Sequence, residues 1–228
     1  MATPEKATKQ VGVERAGARL TAKGAATRAR IVDAAAGLIF ERGIARTGIE
    51  DVQRAASVSA SQLYHYFTDK HALVHAVVDR QGQAVLDGQQ PLLGHLDSFD
   101  ALEAWRDLLV AGQRQRHCSG GCIIGSLASE LAESDVHARE RLADSFACWQ
   151  AQIRDGLTRM RERGELRPDA DPDRLALALL AAVQGGLLLD QTLRDTAPLE
   201  TALDAMIAYI HTFATTSHVE VPARRKAR

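Results

Sequence analysis

The sequence predicts an all-α protein of about nine helices, a small three-helix front domain followed by a larger helical bundle. Three observations predict it. Apolar residues recur at three- and four-residue spacing along most of the 228 residues. The alternating apolar–polar runs that mark half-buried strands are absent. Serine and aspartate starts, with glycine and proline stops, divide the periodic stretches into separate segments. Composition agrees: 46% apolar and 25% charged residues suit a globular chain and exclude wholesale disorder, a collagen-like fibre or a coiled-coil rod. The three cysteines, Cys118, Cys122 and Cys148, are too few and odd in number for a disulfide scaffold, which points to a reducing compartment.

Each element has its own signal. From about Ala25 a helix carries Ile31, Ala34, Ala35, Leu38 and Ile39 on one side and stops at Gly43. A short helix from Ile49 to Ala56 buries Ile49, Val52 and Ala56. Ser57-Val58-Ser59 is a tight connection, and Ser59 caps a second short helix, Ala60 to Phe67, with Leu63, Tyr66 and Phe67 inward. Thr68-Asp69 starts a helix to about Gly88, striped by Leu73, Val74, Val77 and Val78. After the break at Pro91 and Gly94, Ser98 caps a helix containing Leu102, Trp105, Leu108 and Leu109. Ser119-Gly120-Gly121 leads into a helix from Cys122 to about Glu133, and a long charged helix spans Val136 to Arg163. Asp171-Pro172 opens the most apolar helix, to about Arg194, and Pro198 opens the last, ending near Thr215. The expected division is a basic N-terminal arm (1–23), a front domain (24–84), a bundle (85–216) and a basic tail (217–228).

Charge is unevenly spread. The formal net charge is -1, yet residues 1–30 hold seven Lys or Arg against two Glu, and Arg224 to Arg228 hold four more cations. Basic ends on a neutral body suit a polyanion such as nucleic acid; solvated tails read equally well from charge alone. No targeting segment is visible at the N-terminus. The apolar stretch Leu175 to Leu189 is shorter than the ~20 residues that cross a bilayer, so a cytoplasmic protein without a membrane partner is expected.

Helices of about eight residues barely form alone in water, so the pair at 49–67 must be held by packing. Two short helices joined by a tight turn have a known use, in which the second enters the major groove of DNA. Here the second exposes Ser61, Gln62, Tyr64 and His65, whose hydroxyl, amide and ring groups can reach base edges or phosphates, and Lys70 follows at a helix N-terminus that attracts phosphate. A small subdomain with a polar face fits the pattern too.

The run TRARIVDAAAGLIFERGIARTGIEDVQRAASVSASQLYHYFTDKHALVHAVV, residues 27 to 78, resembles the N-terminal domain of TetR/AcrR-type transcriptional regulators. The likeness extends over residues 25 to about 80 and includes Gly43, Thr47, the Ile49/Val52 pair, the VS turn, LYHYF and Lys70. It implies that Ala60–Phe67 is a recognition helix, with Ala60, Ser61 and Gln62 facing bases and Thr47, Tyr64, His65 and Lys70 gripping the backbone. Where the family usually has Ser or Thr, this chain has Gly48, so Thr47 is expected to cap the first helix of the pair. Where it usually has Gly, this chain has Ser57, at a cost of about 1 kcal/mol if the turn is left-handed.

The resemblance further implies a homodimeric repressor on a palindromic double-stranded DNA operator, released by a small-molecule effector, apolar or electrophilic. Leu179, Val183 and Gly186, with Leu203, Met206 and Ile210, are the expected dimer face of the last two helices. Trp105, Leu127, Phe146 and Trp149 are candidate walls of an effector pocket, though residues at such spacing are more often plain core. HCSGGCIIGSLASEL resembles the GC-x-x-G-x-L-A-x-E-L helix start of one branch of the family. There Cys122 is expected near a helix N-terminus that lowers its pKa, as a sensor thiol with Cys118 as resolving partner, or simply as a small buried residue. His117, Cys118 and Cys122 do not match a zinc spacing, and His71/His75 lack a further ligand in sequence, so neither a metal nor another cofactor is expected. No enzyme motif is present. An architectural DNA binder without an effector remains the other reading, distinguished by equal affinity for any duplex.

Overall fold

The computed structural model describes residues 20–215. Among them are nine α-helices: α1 (Ala22–Arg42), α2 (Ile49–Ala56), α3 (Ala60–Tyr66), α4 (Lys70–Asp87), α5 (Phe99–Gln115), α6 (Ile123–Leu131), α7 (Val136–Glu162), α8 (Pro172–Leu193) and α9 (Ala197–His211). A 3₁₀ turn, Leu92–His95, fills the break before α5. A single antiparallel bridge, Leu166 to Ala214, ties the loop after α7 to the chain after α9. Most of the anticipated basic arm and nearly all of the basic tail lie outside the described residues; α1 already begins at Ala22, inside the expected arm.

Capping sets most boundaries. Thr21, Ser59, Asp69, Ser98, Asp135 and Asp171 each accept a backbone N–H from the first turn of the helix that follows. Such caps contribute about 1 kcal/mol apiece. α1 ends at Gly43, whose φ of 82° suits glycine and whose N–H bonds the Ile39 carbonyl at 2.8 Å. The front core consists of Ile31, Ala35 and Ile39 of α1, Val52 and Ala56 of α2, Leu63, Phe67 and Val77. It is continuous with the rear core through α4, which packs on α1 and on α7. The expected division at 84/85 therefore falls within an unbroken helix.

α8 is 22 residues long, long and apolar enough by length and composition to cross a bilayer, and here it packs against α7 and α9. That packing corrects the expected dimer face. Leu179, Val183, Gly186, Leu203 and Ile210 are buried inside the protomer, and Met206 is half-buried. A Cβ on Gly186 would come within 2.7 Å of the Leu199 Cα, so this glycine serves the α8–α9 approach within one chain. Because α8 is covered on two sides by its own chain, the apolar stripe read from its sequence is internal. A second stripe, Leu177, Gly185, Leu188, Leu189 and Leu193, stays exposed beside Tyr209 of α9.

Candidate nucleic-acid interface and inter-helix cavity

α3 is short but held at three points. The Ser59 hydroxyl accepts the Gln62 N–H at 3.2 Å while the Gln62 side-chain carbonyl accepts the Ser59 N–H at 2.9 Å, a reciprocal cap. Leu63 and Phe67 anchor it in the front core, and the Arg28 guanidinium lies over the Phe67 ring at 5.2 Å. The preceding turn is left-handed at Ser57, with φ 51° and ψ 51°, the strained conformation anticipated there. The Arg30 side chain of α1 donates to the carbonyl of Ala56 at 2.9 Å, fixing the end of α2.

This scaffold leaves Ala60, Ser61, Gln62, Tyr64 and His65 exposed along one helix, with Tyr64 54% exposed. The carbonyl of Gln62 is committed to the cap, so its amide NH₂ is the group left to reach outward. Tyr66, expected inside, is half-buried. Two other residues differ from expectation. Thr47 is buried at 3% exposure, and its hydroxyl donates to the Gly43 carbonyl at 2.8 Å. It does not cap α2; Gly48 is the N-cap, and the Asp51 carboxylate accepts the Gly48 N–H at 3.2 Å. The Lys70 ammonium donates to the Ile44 carbonyl at 2.7 Å, so it braces the α1–α2 loop from the α3–α4 side.

The same loop is held from the bundle. The Glu130 carboxylate of α6 accepts the Ile44 N–H at 2.9 Å, so Ile44 is gripped at its carbonyl by α4 and at its N–H by α6. A second joint lies at the start of α7. Asp135 caps α7 through the Ala138 N–H, and its other oxygen sits 3.3 Å from His71 Nδ1 and 2.8 Å from His75 Nε2 of α4. The Ala138 N–H first, and then the two imidazoles, hold the Asp135 carboxyl well below the usual carboxylate range against the opposing effect of burial. Glu130 and Asp135 carry no sequence signal for this role, because their partners lie far away in the chain.

A cavity of about 690 Å³ opens between α1, α4, α5, the start of α6, α7 and α8. Of the four expected wall residues only Trp149 lines it. Trp105 and Leu127 are fully buried core, Phe146 is half-buried against that core, and the Trp105 indole N–H donates to Gln89 at 2.8 Å. The walls come instead from residues such as Phe40, Val85, Leu109, Gln113, Cys122 and Leu187. Helical spacing reports which residues face inward, not which inward face is left unfilled. The loop before α6 winds tightly, with positive φ at His117, Cys118, Gly120 and Gly121. Gly120 lies against the Phe40 ring of α1, and its φ of 82° suits glycine.

Cys122 is the N-cap of α6 and lines this cavity. Burial pushes its thiol pKa up, outweighing the α6 N–H groups of Gly125 and Ile124 that favour the thiolate. The direction is opposite to the expected activation. Cys118, the expected resolving partner, is buried at 4% exposure and its thiol is likewise pushed up by burial. No group of three or more metal-ligating side chains with metal-binding geometry occurs among the described residues.

Comparison with known proteins places this geometry. Residues 31–77 match the family model described as bacterial regulatory proteins, tetR family, and residues 98–206 match the tetracyclin repressor-like C-terminal domain. The chain is 30% identical over 178 residues to an uncharacterised HTH-type transcriptional regulator of Mycobacterium tuberculosis, covering 76% of this chain and 88% of the relative. It is 26% identical over 177 residues to the HTH-type transcriptional repressor DhaR of a Mycobacterium species, covering 77% of this chain and 88% of that one. A TetR transcriptional regulator from Chloroflexus aurantiacus, solved by crystallography, superposes with a TM-score of 0.71 at 30% identity, covering 85% of this chain and 98% of that one.

Proposed function

The chain belongs to the TetR family of bacterial regulatory proteins, and on that premise we propose that it is a homodimeric repressor of transcription that acts in the cytoplasm and releases its DNA when a small molecule enters the inter-helix cavity. Residues 24–84 are the DNA-binding part and 85–216 the ligand-binding and dimerisation part. Ser61, Tyr64, His65 and the NH₂ of Gln62 contact the duplex, Ala60 and Gly48 allow close approach, and Lys70 and Thr47 fix the loop beside it. Two copies joined through the exposed α8–α9 stripe would present their α3 helices to major grooves about 34–36 Å apart on a near-palindromic operator.

The observation that carries this reading is α3 itself: a capped, anchored helix whose outward positions are Ala60, Ser61, Gln62, Tyr64 and His65, exposed among the described residues. Release follows from the double grip on Ile44, since α6 begins in the cavity wall and ends at the helix-turn-helix. A ligand that moves α6 shifts the population between a groove-matched dimer and one that no longer fits. Selection of duplexes from a random pool by the full-length protein tests the proposal. Enrichment of one inverted-repeat sequence is expected, and recovery of unrelated sequences with equal affinity would contradict it.

A further inference from the structure

The two basic ends of the chain are placed very differently relative to α3. The first turns of α1 run beside the recognition helix. A Cβ on Gly24 would lie 3.5 Å from the Tyr66 hydroxyl in the last turn of α3, and the Arg28 guanidinium lies over the Phe67 ring that follows it. The chain therefore enters the described residues, at Leu20 and Thr21, next to the helix assigned to the major groove. Positive charge continues into α1, where Lys23, Arg28 and Arg30 are exposed and no acidic residue precedes Asp33. The ion pairs of α1 and α2 join Arg42 and Arg54 to Asp51 and Arg80 to Asp33, leaving those three cations without a carboxylate among the described residues.

The other end lies far away. α7 runs parallel to α4, matched in order by Asp135 with His75, Arg141 with Asp79, Gln152 with Gln90 and Arg159 with the Gly94 carbonyl. Its 27 residues, rising ~1.5 Å each, carry it about 40 Å from the Asp135 joint. Just past its end, the Thr215 N–H donates to the Glu165 carbonyl at 2.9 Å, so the chain leaves the described residues at the distal end of the bundle. Even fully extended, at ~3.3–3.6 Å per residue, residues 216–228 are used up in returning to that joint.

Resting on the reading of α3 as the recognition helix, we propose that residues 1–19 are a second DNA-reading element. Arg15 and Arg19 seat in the minor groove flanking each half-site, where it is narrow and A·T-rich, and the basic tail takes no part in operator binding. Reach agrees. From Thr21 back to Arg15 an extended chain covers about 20 Å, and the minor groove beside an occupied major groove lies about half a 34–36 Å turn away. Shape agrees as well. The minor groove, about 6 Å wide, admits single side chains on a slender backbone, and only Ala16, Gly17 and Ala18 separate the two arginines. Narrow A·T tracts concentrate negative potential, which draws guanidinium groups into the groove.

Fluorescence anisotropy of the full-length protein on two duplexes tests the proposal, the same selected half-sites being flanked by A·T tracts in one and by G·C tracts in the other. Wild type should bind the A·T-flanked duplex about tenfold more tightly. The double variant Arg15→Ala/Arg19→Ala should bind both equally, with a salt slope shallower by about two to four per dimer, since each lost phosphate contact removes ~0.9. Replacing Arg224, Arg225, Lys226 and Arg228 by alanine should change neither affinity. Equal wild-type affinities, a flank preference that survives in the double variant, or a loss from the tail variant as large as that from the arm variant would overturn the proposal. Tyr64→Ala separates this failure from failure of the recognition helix. No flank preference, with Tyr64→Ala weakened on both duplexes, rejects only the arm. Tyr64→Ala equal to wild type on both rejects α3 and with it the groove assigned to the arm.

Discussion

Tyr64 and Lys70 belong to one motif by sequence, yet the structure gives them different work. The Tyr64 ring stands outward, 54% exposed among the described residues, so Tyr64→Ala should weaken operator binding about tenfold or more and leave the melting temperature within a degree or so. Lys70 spends its ammonium on the Ile44 carbonyl. Lys70→Met should therefore lower stability by about 1–2 kcal/mol in addition to weakening DNA binding, as chemical denaturation would reveal. A Lys70→Met protein as stable as wild type would mean that the brace is not made in solution. Ser57, left-handed without being glycine, offers the converse test: Ser57→Gly should stabilise the protein by up to about 1 kcal/mol. The left-handed turn at Ser57 and the exposed face of α3 were legible in the sequence because they depend on neighbours one or two turns away. The commitments of Thr47, Lys70 and the Gln62 carbonyl were only partly so, since a side chain that can reach a phosphate can equally reach a carbonyl across a loop.

Among the elements, the helix starts were the most legible feature, because Ser59, Ser98 and Asp171-Pro172 announce themselves locally. α6 and α9 run shorter than their periodicity suggested, ending at Leu131 and His211; beyond α9 the chain tightens, with Thr212, Phe213 and Ala214 each donating to the carbonyl three residues back. Two features of the elements were not legible. One is the cavity, whose walls come from six helices; the other is the pair of joints that Glu130 and Asp135 make with the front domain. The Asp135 joint gives a pH signature. The carboxyl pKa is depressed in the folded state, so its stabilisation is complete above the unfolded value near ~3.9 and is lost as pH falls through the lower folded value. Asp135→Asn should melt at a lower temperature than wild type at neutral pH, and the gap should narrow as the pH drops below about 4. A gap independent of pH would assign the joint to packing alone.

For the whole molecule, the proposed dimer rests on the exposed stripe of α8 and α9. Leu188 is 64% exposed, so Leu188→Arg should yield folded monomers by sedimentation, with weakened operator binding because two half-sites are no longer linked. Leu203→Arg, by contrast, should fail to fold, because Leu203 is fully buried within the protomer. The sequence indicated that the last two helices were too apolar for one face to suffice. Which residues served which face depended on how α7, α8 and α9 pack, and that is a property of the assembled bundle.

The claim on which the rest depends is that α3, presented twice, seats in duplex DNA. Its most direct test is the affinity of the dimer for its selected duplex, by fluorescence anisotropy, as salt is raised. Phosphate contacts release counterions, so a linear and steep fall of log affinity with log salt is expected for wild type, shifted to weaker binding throughout in Tyr64→Ala. A flat curve, or a Tyr64→Ala curve superimposed on wild type, would contradict the account.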